Sequence, residues 1–146
     1  MTQVCIDAGL AIKLVIPEPD TPQAEALFQQ WKVNQVELIA PAFAAAEVDS
    51  VLRGKVVRGK ILPAAAESAF QLAARLPIQF DLAADCRLRA WELATQFGFS
   101  TVYDAVYLAL AERRGCEFWT ADAKLYEWVK DRLGFVQLLG HASGED

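Results

Sequence analysis

Five short apolar runs punctuate this chain, and their spacing limits its fold more than any other feature. They are Val4-Cys5-Ile6, Val36 to Ala40, Ile78-Gln79-Phe80, Glu117 to Thr120 and Phe135 to Leu139. Each is too short for a buried helix and reads as a strand. Between them the apolar residues recur at helical spacing. Leu10, Ile12, Leu14, Val15 and Ile16 predict a first helix that Pro17 stops. A second opens at Asp20-Thr21-Pro22 and carries Ala24, Leu27, Phe28 and Trp31. A third follows Pro41 and ends near Gly59, and a fourth starts at Pro63 and ends before Pro77. Two more cover roughly 83–97 and 101–114, closed by Gly98 and Gly115, and the last runs from Asp122 to Arg132. Strands alternating with helices predict an α/β domain, a mostly parallel sheet of four or five strands flanked by helices. The 146 residues allow one domain, with 139–146 expected as a flexible tail.

Apolar residues make up 54% of the chain, yet the longest uncharged apolar stretch, Leu38 to Ala46, is interrupted by Pro41. A membrane-spanning helix needs about 20 such residues, so no membrane association is expected. Met1-Thr2-Gln3-Val4 has no basic lead-in of the kind that opens a signal peptide. Cys5, Cys86 and Cys116 are odd in number and widely spaced, which reads as three reduced core thiols in a cytoplasmic protein. The one histidine, His141, lies in a polar tail, which argues against Ser-His or Cys-His catalysis. A net charge of −5 argues against a general nucleic-acid coat, but not against an enzyme that meets nucleic acid at one patch.

Four acids stand out. In a parallel sheet the ligand site lies beyond the carboxyl ends of the strands, and Asp7 and Asp122 each directly follow a strand. Glu47 shares a helix face with Phe43 and Val51, so it interrupts an apolar stripe and needs compensation. Asp104 precedes seven apolar residues, Ala105 to Ala111; a helix apolar all round is buried, and Asp104 is expected to be buried with it. Each acid also has a purely structural use. Asp7 and Asp122 suit helix N-caps, Thr101 to Asp104 resembles a capping box, and Glu47 suits a buried ion pair. Taken together, carboxylates gathered at one sheet edge repel one another and call for a cation. An oxygen-only ligand set suits Mg²⁺ or Mn²⁺, the ions of metal-assisted phosphodiester hydrolysis.

The pattern is similar to the PIN-domain family, and within it to the VapC-type ribonuclease toxins of toxin–antitoxin modules. The resemblance runs through Ile6-Asp7-Ala8 with Lys13 and Glu18, Pro41 to Val48 around Glu47, Tyr103 to Glu112, and Phe118 to Leu125. It implies a PIN-like three-layer sandwich and a Mg²⁺- or Mn²⁺-dependent endoribonuclease. Asp7, Glu47, Asp104 and Asp122 match the family's acidic quartet, as catalytic residues and metal ligands, and Thr120 matches a hydroxyl residue beside the last acid. A homodimer, an RNA substrate and a cognate antitoxin protein are implied as partners. Two positions depart from the pattern. Gly9 stands where many members have Ser, Thr or Asn, and Ser50 where many have Asn; both positions support the metal site. Such losses cost about 10–100-fold in metal affinity or activity. The alternative is therefore a PIN-fold binding module with a weakened or inactive metal site, acting through protein or RNA contacts.

The segment Arg53 to Lys60 carries four basic residues and no acid. It reads equally as a solvated helix end and as a phosphate contact, through Arg53 and Lys55. Lys13 is a further RNA-contact candidate. Of Trp31, Trp91, Trp119 and Trp128, core packing is the expectation, while Phe28 and Trp31 are candidates for an antitoxin-facing groove.

Overall fold

The computed structural model describes residues 2–140. Its strands are β1 (Gln3–Ile6), β2 (Glu37–Pro41), β3 (Ile78–Asp81), β4 (Glu117–Thr120) and β5 (Val136–Leu138). They form one sheet in the order β3-β2-β1-β4-β5, and every pairing is parallel. The helices are α1 (Ala8–Ile12), α2 (Thr21–Val33), α3 (Ala44–Val57), α4 (Pro63–Ala74), α5 (Arg87–Phe97), α6 (Tyr103–Arg114) and α7 (Ala123–Val129), with a 3₁₀ turn at Ala84–Cys86.

At its centre the sheet is covered on both faces, which is why β1 and β2 read as apolar runs rather than alternating ones, while the edge strand β3 stays half exposed. Val4, Ile6 and Leu38 point into a cluster with Leu10, Ile12, Trp31, Val48 and Leu52. Cys5, Ile39 and Phe118 point the other way, against Leu93, Tyr107, Leu108 and Leu110. The three-layer α/β sandwich follows from that division. The apolar stretch of α6 fills the second layer, with Ala105 and Tyr107 to Ala111 buried. The three cysteines are buried and free. Among the described residues no helix is long and apolar enough to cross a membrane.

Several expectations need correction. The first helix stops at Ile12, and 13–16 form a turn. Thr21 Oγ1 donates to the Lys13 and Ile16 carbonyls, so this turn is tied to the start of α2 instead of continuing the helix. The capping box is not formed, because α6 begins at Tyr103 with Val102 as an N-cap that provides no side-chain bond. Asp104 is exposed, since it sits on the first turn of α6 and burial starts at Ala105. Trp31 is buried and packs edge-on against Trp119, so it forms no open groove. Trp91 and Trp128 are 66% and 54% exposed rather than core residues, because each stands on the outer side of its helix. Leu139 donates its N–H to the Thr120 carbonyl and packs on the core, whereas His141 and the rest of 141–146 lie outside the described residues.

Candidate active site

The chain winds outward from β1 through β2 to β3, then crosses back to place β4 on the other side of β1. The strand order therefore reverses between β1 and β4. A crevice opens at such a point because the connections leave in opposite directions. Asp7 follows β1 and Asp122 follows β4, so two of the four acids flank this reversal.

The register brings them into contact. Ile6 pairs with Trp119, so Asp7 and Thr120 come next on neighbouring strands. Thr120 is fully buried, and its hydroxyl donates to Asp7 Oδ2 at 2.5 Å. The same Oγ1 accepts the Asp122 N–H at 3.0 Å. One threonine thus joins the two acids across the sheet. Asp7 Oδ1 accepts the Leu10 N–H at 2.8 Å and caps α1. Asp122 Oδ1 accepts the Leu125 N–H at 3.1 Å and caps α7. Both acids therefore serve as helix caps while they stand at the strand ends.

Glu47, half-buried on the first turn of α3, accepts the Tyr107 hydroxyl at 2.6 Å through Oε1. Its compensation is a neutral phenol rather than the ion pair its position allows. The Tyr107 ring is held by Phe43 and Phe118 at 5.5 and 5.6 Å between centroids. Asp104, by contrast, accepts no hydrogen bond among the described residues.

The electrostatics tie the four together. Burial pushes the Asp7 carboxyl up from 3.8 to about 6, against the pull of the Thr120 and Leu10 hydrogen bonds, and the Asp104 and Asp122 charges push it further. Asp104 is raised by partial burial of its carboxyl, then by Asp122 and Glu47. Burial and the Glu47 carboxylate hold the Tyr107 hydroxyl protonated far above its ordinary range. Among the described residues, no three acids are drawn close enough to form a ready-made cation cage. The donor set is chemically compatible with a hard divalent cation such as Mg²⁺ or Mn²⁺: four carboxylates near the carboxyl ends of β1 and β4, with Asp104 repelled by Asp122 and Glu47 and itself free of hydrogen-bonding partners among the described residues.

The remaining candidates separate by position. Gly9 is exposed, and a Cβ built on it would stand 3.6 Å from Asp7 Oδ1, in ordinary contact. Ser50 is exposed and has no hydrogen-bond partner among the described residues. Lys13 and Lys55 line a cleft with Asp7, Gly9 and Asp122. Lys13 is held by Glu18 and Asp20 at 3.1 and 2.7 Å, and Lys55 reaches Glu18 at 3.7 Å. Arg53 is exposed and does not line that cleft. Two residues that the sequence reading missed belong here. Tyr107 was hidden inside the apolar run, where a phenol reads as one more core ring. Arg58 lines the cleft one helical turn beyond Gly54.

A family model for the PIN domain matches residues 4–130. The fold is similar to that of PAE2754 from Pyrobaculum aerophilum, with a TM-score of 0.62 and 19% identity over 87% of this chain and 86% of that one. It is also similar to VapC20 (Rv2549c) of Mycobacterium tuberculosis, a sarcin-ricin loop cleaving toxin, with a TM-score of 0.62 and 14% identity over 89% and 95% of the two chains. No curated protein sequence matches the chain.

Proposed function

The chain belongs to the PIN domain family, and from that premise we propose that it is a metal-dependent endoribonuclease, the toxin of a toxin–antitoxin pair. The observation that carries this reading is the Asp7–Thr120–Asp122 bracket at the strand-order reversal, with Asp104 and Glu47 raising the negative charge around it. The toxin described above as cleaving the sarcin-ricin loop has the same fold, which favours RNA as the substrate.

Asp7, Glu47, Asp104 and Asp122 would hold Mg²⁺ or Mn²⁺. Such an ion, when bound, lowers the pKa of water and stabilises charge on a phosphate under attack. The protein's part is to fix its own donors. Thr120 and the Leu10 amide set both oxygens of Asp7 before any ligand arrives. Tyr107 orients Glu47 and fixes which oxygen remains open. Asp104, with no competing donor and a raised pKa, is the carboxylate best suited to accept a proton from the attacking water.

A cognate antitoxin and a second copy of the chain are the protein partners of this reading, and the cytoplasm is its place. The second reading, a PIN-fold binding module, is favoured by Gly9, which leaves open a position beside Asp7 that a hydroxyl side chain would fill. Cleavage of a labelled structured-RNA pool in Mn²⁺, Mg²⁺ or EDTA separates the two. Asp104→Asn is expected to keep its fold, because the residue is an exposed first-turn position, and to lose more than about 100-fold in rate, beyond the usual outer-shell loss. Wild-type cutting that persists in EDTA, or an uncut pool with folded protein, refutes the nuclease.

A further inference from the structure

We infer that Arg58 is the residue that binds the RNA backbone phosphate at the acidic cleft, and that Gly54 leaves room for its guanidinium. This deepens the nuclease reading and rests on it. The cleft that contains Asp7 and Asp122 is walled on one side by the end of α3, where Val51, Lys55 and Arg58 fall on one face at helical spacing. Three cations line it, and they are not equivalent. Lys13 is clamped by two carboxylates, and Lys55 shares one of these. Arg58 alone of the three has no carboxylate partner among the described residues.

Its guanidinium lies over a gap. A Cβ placed on Gly54 would stand 2.8 Å from Arg58 Nη1 and 3.5 Å from Cζ. The guanidinium therefore lies back along the helix in the space that a side chain at 54 would occupy. Gly54 sits inside α3, where glycine weakens a helix, and its backbone φ is an ordinary helical one, so no turn requires it. What it provides is room for the arginine. The planar fork of a guanidinium matches two phosphate oxygens at once, which an ammonium cannot do. An uncommitted guanidinium beside a set of acids is the complement of a phosphodiester that must approach those acids. Arg53 and Lys60, from the same basic segment, do not line the cleft.

The test is RNA affinity in EDTA, measured over a salt series with a labelled structured RNA, so that neither cutting nor metal binding enters. Arg58→Ala is expected to weaken binding by about 5–20-fold and to lower the salt slope by about 1. Arg75→Ala removes an equal charge from an exposed position outside the cleft and is expected to bind as wild type. Arg58→Lys is expected to recover the salt slope but only part of the affinity. Gly54→Ala, which favours the helix, is expected to keep or raise Tm while weakening RNA binding several-fold. Equal binding by Arg58→Ala and Arg75→Ala overturns the assignment, whether or not the enzyme cuts. Wild-type binding in Gly54→Ala overturns the role of the glycine. A wild-type protein with no affinity for RNA at any salt in EDTA overturns this inference, while the nuclease reading is decided separately by cutting in Mn²⁺.

Discussion

Asp7→Asn should make the metal-free protein more stable while destroying its proposed function. The Asp7 carboxyl is raised from 3.8 to about 6, chiefly by burial. A tenfold change in ionisation corresponds to about 1.4 kcal/mol, so carrying this charge costs the fold about 3 kcal/mol at neutral pH. The sign follows from linkage. The folded protein holds the proton more tightly than the unfolded chain, so stability falls as pH rises from 3.8 to about 6 and stays low above it. Asparagine removes the charge and can still accept the Leu10 N–H as a helix cap. It leaves the Thr120 hydroxyl without its acceptor, at about 1 kcal/mol. The net gain is then about 2 kcal/mol at pH 7.5, or roughly 4–8 °C in Tm for a chain of this size. Thermal melts in EDTA at pH 7.5 and pH 4 measure it. The gain should be present at the first and nearly absent at the second. Added Mn²⁺ should raise the Tm of the wild type and leave the variant unmoved. A variant that is no more stable than wild type at pH 7.5, or more stable by the same amount at both, refutes the argument that burial of a charge dominates at this position.

Three other substitutions probe the same network. Thr120→Val keeps the shape of a fully buried side chain but removes the donor to Asp7 and the acceptor of Asp122; urea melts should show a loss of about 2 kcal/mol at neutral pH, smaller in acid where Asp7 is protonated. Tyr107→Phe retains the packing against Phe43 and Phe118 and removes only the hydroxyl on Glu47; Mn²⁺ affinity by calorimetry should fall about 10-fold with Tm nearly unchanged. Gly9→Ser fits without a clash and brings a hydroxyl to Asp7 Oδ1; Mn²⁺ affinity should rise by about 3–10-fold, and an unchanged affinity would remove Gly9 as the weakness of the site.

Much of this was legible in the residues, for identifiable reasons. The central strands of a covered parallel sheet are written as apolar runs and the edge strands β3 and β5 as apolar residues around a Gln, so all five could be placed to within a residue or two. The acids at strand ends were visible because a parallel sheet places its site there, even though each also caps the helix that follows. Periodicity misled at residues 13–16, where Leu14, Val15 and Ile16 pack on the core from a turn, not from a helix; burial does not record how the backbone arrives. Asp104 was read as buried because its helix is, but burial belongs to the stretch that crosses the sheet and not to the turn that overhangs it. The basic segment showed its charge but not its direction. Only the helical phase of α3, fixed by the burial of Ala44, Val48 and Leu52, turns Lys55 and Arg58 toward the cleft and leaves Arg53 outside it. The Tyr107–Glu47 bond spans 60 residues and has no local signature.

The central position of β1 has a consequence for how the protein is made. Residues 3–6 are made well before their second neighbour, β4, which begins at Glu117. The bond that joins Asp7 to Thr120 spans 113 residues. At a synthesis rate of about 5–20 residues per second, roughly 6–20 s separate the two halves of the bracket. During that interval one edge of β1 is unpaired, a run of Val, Cys and Ile open to any other strand. The four acids are likewise scattered along an unfinished chain. In a chain of this topology the proposed site cannot assemble before β4 and Asp122 have been added, so the reading of a metal-dependent nuclease implies an activity that appears late in synthesis.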